Sequence, residues 1–156
     1  MDTRLRVLFL CTGNSCRSQM AEGFANAQWG ELLEAFSAGV ETHGLNPHAV
    51  GVMAEVGVDI SSHRSTLMDE FLHLRFDAVI TVCDSAREAC PFFPGAKTVI
   101  HQSFPDPPLL AREVAERGGS EDEQRDCYRE VRDMIAAYVT TLPVILREVC
   151  VDHKDA

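Results

Sequence analysis

Val7-Leu8-Phe9-Leu10 runs without a break into Cys11-Thr12-Gly13-Asn14-Ser15-Cys16-Arg17-Ser18, and then into the helix-forming Gln19-Met20-Ala21-Glu22. An apolar run of this kind is a strand buried on both faces. A buried strand, a tight loop and a helix start therefore meet at Cys11. Successive backbone N–H groups of such a loop point inward, and the helix behind adds partial positive charge, so the segment predicts an oxyanion cradle. The cradle comprises Thr12, Gly13, Asn14, Ser15, Cys16, Arg17 and Ser18. Those N–H groups and Arg17 are expected to lower the Cys11 thiol pKa and leave a thiolate nucleophile. Arg17 can offer its planar fork to two oxygens of a tetrahedral anion. Gly13 and Asn14 are residue types that tolerate the positive φ of a tight loop. The Ser18 hydroxyl, at the helix start, is a donor for the Cys11 sulfur.

The whole chain sets the frame for this loop. Its 156 residues suit one domain, 1–156, with 46% apolar and 24% charged residues as in soluble globular proteins. The formal net charge of −10, from 24 acidic and 14 basic residues, argues against nucleic acid or an anionic membrane as partner. It also means that an anionic substrate needs a local attractive field. The apolar run after Arg4 and Arg6 is too short for a signal peptide, and no stretch has the length of a membrane span. Six cysteines in such a chain argue against a structural disulfide scaffold, and their spacings match no zinc ligand set. The expected setting is the cytoplasm, the expected state a monomer, and no tightly bound cofactor is implied.

Leu5–Leu10 reads as the first strand and Ser18–Trp29 as a helix with one mainly apolar face. A short strand over Glu34–Ala38 ends at Gly39, and Asn46-Pro47 caps a helix to about Val56, stopped by Gly57. Ser65 or Thr66 can cap a further helix carrying Leu67, Met68, Phe71 and Leu72. Asp77–Val82 and Lys97–Ile100 read as the third and fourth strands. Ser120 with Glu123 forms a capping box opening a long helix through Tyr138, which Pro143 ends or kinks, with a frayed tail after Cys150. Helices between apolar strands require parallel pairing through right-handed crossovers. The expected fold is thus α/β, a single doubly wound four-stranded parallel sheet in order 2-1-3-4.

In that order the first and third strands are neighbours, and ligands bind beyond their carboxyl ends where the chain reverses direction. Cys11 ends one of these strands and Cys83 the other. Neighbouring strands lie about 4.8 Å apart, and disulfides need Cα separations of roughly 4.4 to 6.8 Å, so a Cys11–Cys83 bridge is within reach. Cys90 follows seven residues later, before Pro91. If Asp84–Ala89 is helical, Cys83 and Cys90 are separated by a rise of about 10.5 Å, and a Cys83–Cys90 bridge requires that short helix to melt. Three cysteines arranged in this way fit a redox relay.

Cys11-Thr12-Gly13-Asn14-Ser15-Cys16-Arg17-Ser18 resembles the phosphate-binding loop of the low-molecular-weight protein tyrosine phosphatases. Extended through Gln19-Met20-Ala21-Glu22-Gly23, it is more similar to their relatives, the thioredoxin-coupled arsenate reductases. Ser37-Ala38-Gly39, Thr42-His43-Gly44-Leu45-Asn46-Pro47, Val58-Asp59-Ile60-Ser61 and Val82-Cys83 extend the likeness to most of the chain from Val7 to about Ile135.

The resemblance implies reduction of arsenate to arsenite by a Cys11 nucleophile, then Cys83, then Cys90, with thioredoxin as external reductant and phosphate or sulfate as competing oxyanions. It implies a general-acid role for Asp106, in Phe104-Pro105-Asp106-Pro107-Pro108 after the fourth strand. Asn14, Glu22 and Ser37 match positions that in some relatives help bind potassium, but those relatives have Asp where this chain has Thr66. Cys16 reads as packing, Cys127 and Cys150 as bystanders, and His43, His63 and His101 as satisfied loop histidines. The alternative is a phosphatase hydrolysing phosphomonoesters through a Cys11 phosphoenzyme, which would make no use of Cys83 and Cys90. A third, non-enzymatic reading is an oxyanion or redox sensor.

Overall fold

A computed structural model describes residues 3–84, 86 and 93–154, the last five of these by backbone alone. Strand β1 (Leu5–Cys11) lies at the centre of a four-stranded parallel sheet, between β2 (Leu33–Gly39) and β3 (Ala78–Thr81), with β4 (Val99–His101) at the edge beyond β3. The order 2-1-3-4 is the expected one. Both faces of β1 are covered, so every residue from Val7 to Cys11 is buried and the strand reads as continuous apolar sequence. Register pairs Cys11 with Gly39 on one side and Leu10 with Thr81 on the other.

Helix α1 (Arg17–Trp29) covers the face carrying Ala35 and Ser37: Asn26 hydrogen-bonds the Ala35 backbone, and Ser37 Oγ donates to Glu22 at 3.0 Å. Phe36 points the other way, as strand alternation requires, into edge-to-face contact with Phe71 and Phe76. Helix α2 (Pro47–Glu55) begins as expected, with Asn46 accepting from the His48 and Ala49 N–H groups. Helix α4 (Glu121–Thr140) carries the full Ser120–Glu123 capping box and packs against α1 and α2. Among the described residues, no helix is long and apolar enough to cross a membrane.

Three expectations change. Ser65 and Thr66 cap no α-helix, and only one 3-10 turn, Met68–Phe71, follows them. Both residues are committed to the Cys11 loop instead, as described below. The Asp106-Pro107-Pro108 segment opens an unexpected helix, α3 (Pro107–Glu116), whose first turn accepts both prolines because its N–H groups have no helical partner anyway. As expected of Pro143, helix α4 stops just ahead of it, at Thr140, and the chain resumes as α5 (Leu142–Lys154) with Pro143 in its first turn. The backbone past Cys150 remains helical rather than frayed.

Candidate active site

The cradle is made by tying the loop's carbonyls outward. Val40 N–H donates to Cys11 O, Glu41 to Thr12 O, His43 to Gly13 O and Asn46 to Ser15 O, at 2.9 to 3.3 Å. With the carbonyls held by the chain after β2, the N–H groups are left for the loop interior. From Gly13 to Ser18 they donate to no backbone carbonyl among the described residues, and α1 has no side-chain cap. Uncapped N–H groups at a helix start are an anion site.

Asn14 is the pivot of the loop. It alone among the described non-glycine residues has positive φ, 48°. Its Oδ1 accepts from Thr66 N–H at 2.7 Å and from Gln19 Nε2 at 3.1 Å, while its Nδ2 donates to Ser18 Oγ at 2.8 Å. Ser65 Oγ donates to Gly13 O at 2.8 Å. Residues 65–66 therefore buttress the loop rather than cap a helix. Gly13 is needed for space, not for positive φ: a Cβ there would collide with the His43 ring. Ser18 Oγ accepts from Asn14 Nδ2, and no Ser18–Cys11 hydrogen bond is found among the described residues.

Cys11, Cys16 and Cys83 line one cavity of about 820 Å³ together with Thr12, Arg17 and Asp106. Cys83 Sγ lies 3.3 Å from Thr12 Oγ1 and 3.4 Å from the donating Ala86 N–H, and shares the cavity with Cys11. The Cys11 side chain, ahead of burial's opposing effect, lowers Cys83 to about 5. The Cys83 side chain, followed by burial, raises Cys11 against the lowering influence of Arg17 and the Thr12 N–H. The two thiols share one polar environment, so the charge state of each depends on the other. Cys16, pushed up to about 12 by burial, is a neutral packing thiol. Cys11, Cys16, Cys83 and Cys127 are free thiols. Cys90 and any Cys83–Cys90 bridge lie outside the described residues, as does most of the helix expected between them.

Arg17 ties the loop to the acid segment. It donates to Phe104 O at 3.0 Å, and its other terminal nitrogen lies 3.7 Å from Asp106 Oδ1. Asp106 stands at the N-cap of α3, yet its carboxylate caps no N–H and lines the cavity. His101 is held between Thr81 Oγ1 at 2.8 Å and Asp84 Oδ1 at 3.0 Å.

The potassium expectation fails on its ligands. Asn14 Oδ1 is already saturated by two donors, Glu22 Oε1 accepts from Ser37, and Glu22 Oε2 faces His63 Nδ1 at 3.0 Å. A ring nitrogen holds the carboxylate where a cation would need it, so these residues do not fit the ion. Sequence reasoning missed three supports of the loop: Gln19, the Ser65–Thr66 strap, and Tyr128. The Tyr128 hydroxyl accepts from Asn46, whose own N–H holds Ser15. None carries a local signal, because each acts across more than one element.

Residues 6–150 match the family model described as low molecular weight phosphotyrosine protein phosphatase. The chain belongs to that family. Within this phosphatase family it is 42% identical to an arsenate reductase of Halalkalibacterium halodurans over 86% of this chain and 92% of that one. Among solved structures it resembles an arsenate reductase in the phosphate binding state, with TM-score 0.72, 29% identity, and 93% and 98% of the two chains covered. It also resembles the low-molecular-weight protein tyrosine phosphatase of T. tengcongensis, with TM-score 0.66, 30% identity, and 88% and 97% covered.

Proposed function

We propose that this chain reduces arsenate to arsenite through a relay of Cys11, Cys83 and Cys90, with thioredoxin restoring the dithiol. The observation that carries the reading is the Cys83 sulfur lining the same cavity as Cys11, 3.3 Å from the hydroxyl of the adjacent Thr12. Hydrolysis of a phosphomonoester needs a nucleophile, an arginine and an acid, and has no use for a second sulfur there.

Arsenate enters the loop and is held by its N–H groups and Arg17. The Cys11 proton passes to the oxyanion, and the Cys11 thiolate attacks arsenic. An S–As bond forms, an As–O bond breaks, and Asp106 protonates the departing oxygen, which leaves as water. The Cys83 thiolate then attacks the Cys11 sulfur. An S–S bond forms while the S–As electron pair stays on arsenic, now arsenic(III), and arsenite leaves. The Cys90 thiolate attacks Cys83, freeing Cys11, and a thioredoxin dithiol reduces the Cys83–Cys90 bridge by the same exchange. Phosphate and sulfate compete for the loop, and the reaction takes place in the reducing cytoplasm on a monomer.

The test is arsenate turnover with thioredoxin, thioredoxin reductase and NADPH, comparing wild type with Cys83→Ser and Cys90→Ser. Cys90→Ser is expected to release one arsenite per chain and stop as a Cys11–Cys83 disulfide detectable by mass spectrometry, and Cys83→Ser to release none catalytically. Undiminished turnover in both variants would end the relay. Rapid hydrolysis of an aryl phosphate with no arsenate turnover would leave the phosphatase reading in its place.

A further inference from the structure

The cavity runs from buried sulfurs at its floor to exposed side chains at its rim, and one rim residue has no role in the chemistry above. Arg112 lies on α3, one turn beyond Pro108, and positions four apart share a helix face, so both line the same wall. The other charged groups lining the cavity are all engaged. Arg17 meets Phe104 O and Asp106, His43 Nε2 meets Glu41 at 2.7 Å, and Asp84 meets His101. Arg112 forms no hydrogen bond or ion pair among the described residues and is exposed. It is a guanidinium with no ion pair among the described residues, at the entrance to an oxyanion site, on a chain whose net charge of −10 repels oxyanions.

We propose that Arg112 gathers the substrate dianion at the cavity mouth before the loop takes it, and so sets how well the enzyme competes for dilute arsenate. The proposal rests on the arsenate reading for its substrate, but on the cavity alone for its anion. A charge at the rim acts over about one Debye length, roughly 10 Å at 0.1 M salt, so it assists entry and leaves the reacting atoms untouched. The product favours the same arrangement. Arsenite is an uncharged acid at neutral pH, and a guanidinium that draws the anion in has no charge to hold on the way out.

The experiment compares Arg112→Gln and Arg112→Lys with wild type in thioredoxin-coupled arsenate turnover at low and high salt, and in calorimetric binding of inorganic phosphate. Arg112→Gln is expected to lower kcat/KM about 3- to 10-fold at low salt, with kcat unchanged. The difference should close at high ionic strength, and Arg112→Lys should recover most of it. Phosphate affinity should fall in parallel. Binding of phosphate needs no turnover, so it reads Arg112 even if arsenate proves not to be the substrate. Equal kcat/KM and equal phosphate affinity in Arg112→Gln at low salt would overturn the proposal, as would a loss confined to kcat or insensitive to salt.

Discussion

Cys11 and Cys83, seventy-two positions apart in the sequence, line one cavity, with the Cys83 sulfur 3.3 Å from the hydroxyl of Thr12, the neighbour of Cys11. With the Cys11 side chain, Thr12 and the Ala86 N–H beside it, Cys83 is lowered to about 5, while Cys11 is raised. The reduced protein should therefore show one thiolate from this pair in its 240 nm absorbance throughout neutral pH. That thiolate should be lost as pH falls through about 5. Cys11→Ala removes that neighbour's polar hydrogen, so the remaining Cys83 should titrate at higher pH. A Cys11→Ala titration identical to wild type would dissociate the two sulfurs.

Asp106 spends no hydrogen bond on capping α3, which leaves its carboxyl for the cavity. Asp106→Asn should lower kcat for arsenate by roughly 10²- to 10⁴-fold, the usual worth of a general acid, with phosphate affinity nearly unchanged. Arg17→Lys should do the reverse in part, weakening phosphate binding by about tenfold or more, because an ammonium cannot reproduce the guanidinium fork. Calorimetry and steady-state kinetics separate the two effects.

Asn14 combines positive φ with three side-chain hydrogen bonds to Thr66, Gln19 and Ser18. Asn14→Ala should cost about 2 to 3 kcal/mol in urea unfolding, from the lost bonds and the strained backbone. Phosphate binding should be weakened in the same variant, since the loop loses its pivot. A fully stable Asn14→Ala that still binds phosphate would show that residues 65–66 do not hold the loop.

Glu55 joins α2 to α4 through Arg129 at 2.8 Å and Arg132 at 2.9 Å. The Arg129 hydrogen bond, then that of Arg132, lowers Glu55 from 4.5 to about 2 despite some desolvation. A carboxylate lowered on folding stabilises the protein above its unfolded pKa and loses that contribution as pH falls toward the folded value. Glu55→Gln should thus be less stable than wild type at pH 7, with the gap closing between pH 4.5 and about 2. Urea midpoints across that window measure it. A gap independent of pH would assign the effect to packing instead.

The sheet order, the loop and helices α1, α2 and α4 were legible because their signals are local: a continuous apolar strand, Asn46-Pro47, and Ser120 with Glu123. Helix α3 had its signal too, Asp106 before two prolines, but that segment reads equally as a turn. Ser65 and Thr66 misled for a physical reason. Their hydroxyl and N–H groups suit a helix cap, and a better-placed partner in Gly13 O and Asn14 Oδ1 took them.

The sequence by itself determined that an oxyanion cradle stands at the end of a buried strand, since strand, loop and helix start are contiguous and their backbone geometry follows from residue type. Only the tertiary structure decided that Cys83 stands in the cavity of Cys11, that His63 lies against Glu22, and that Arg112 stands at the rim without an ion pair among the described residues. Each of these depends on groups from separate elements meeting in space, where burial and a few ångströms of distance outweigh anything a side chain prefers on its own.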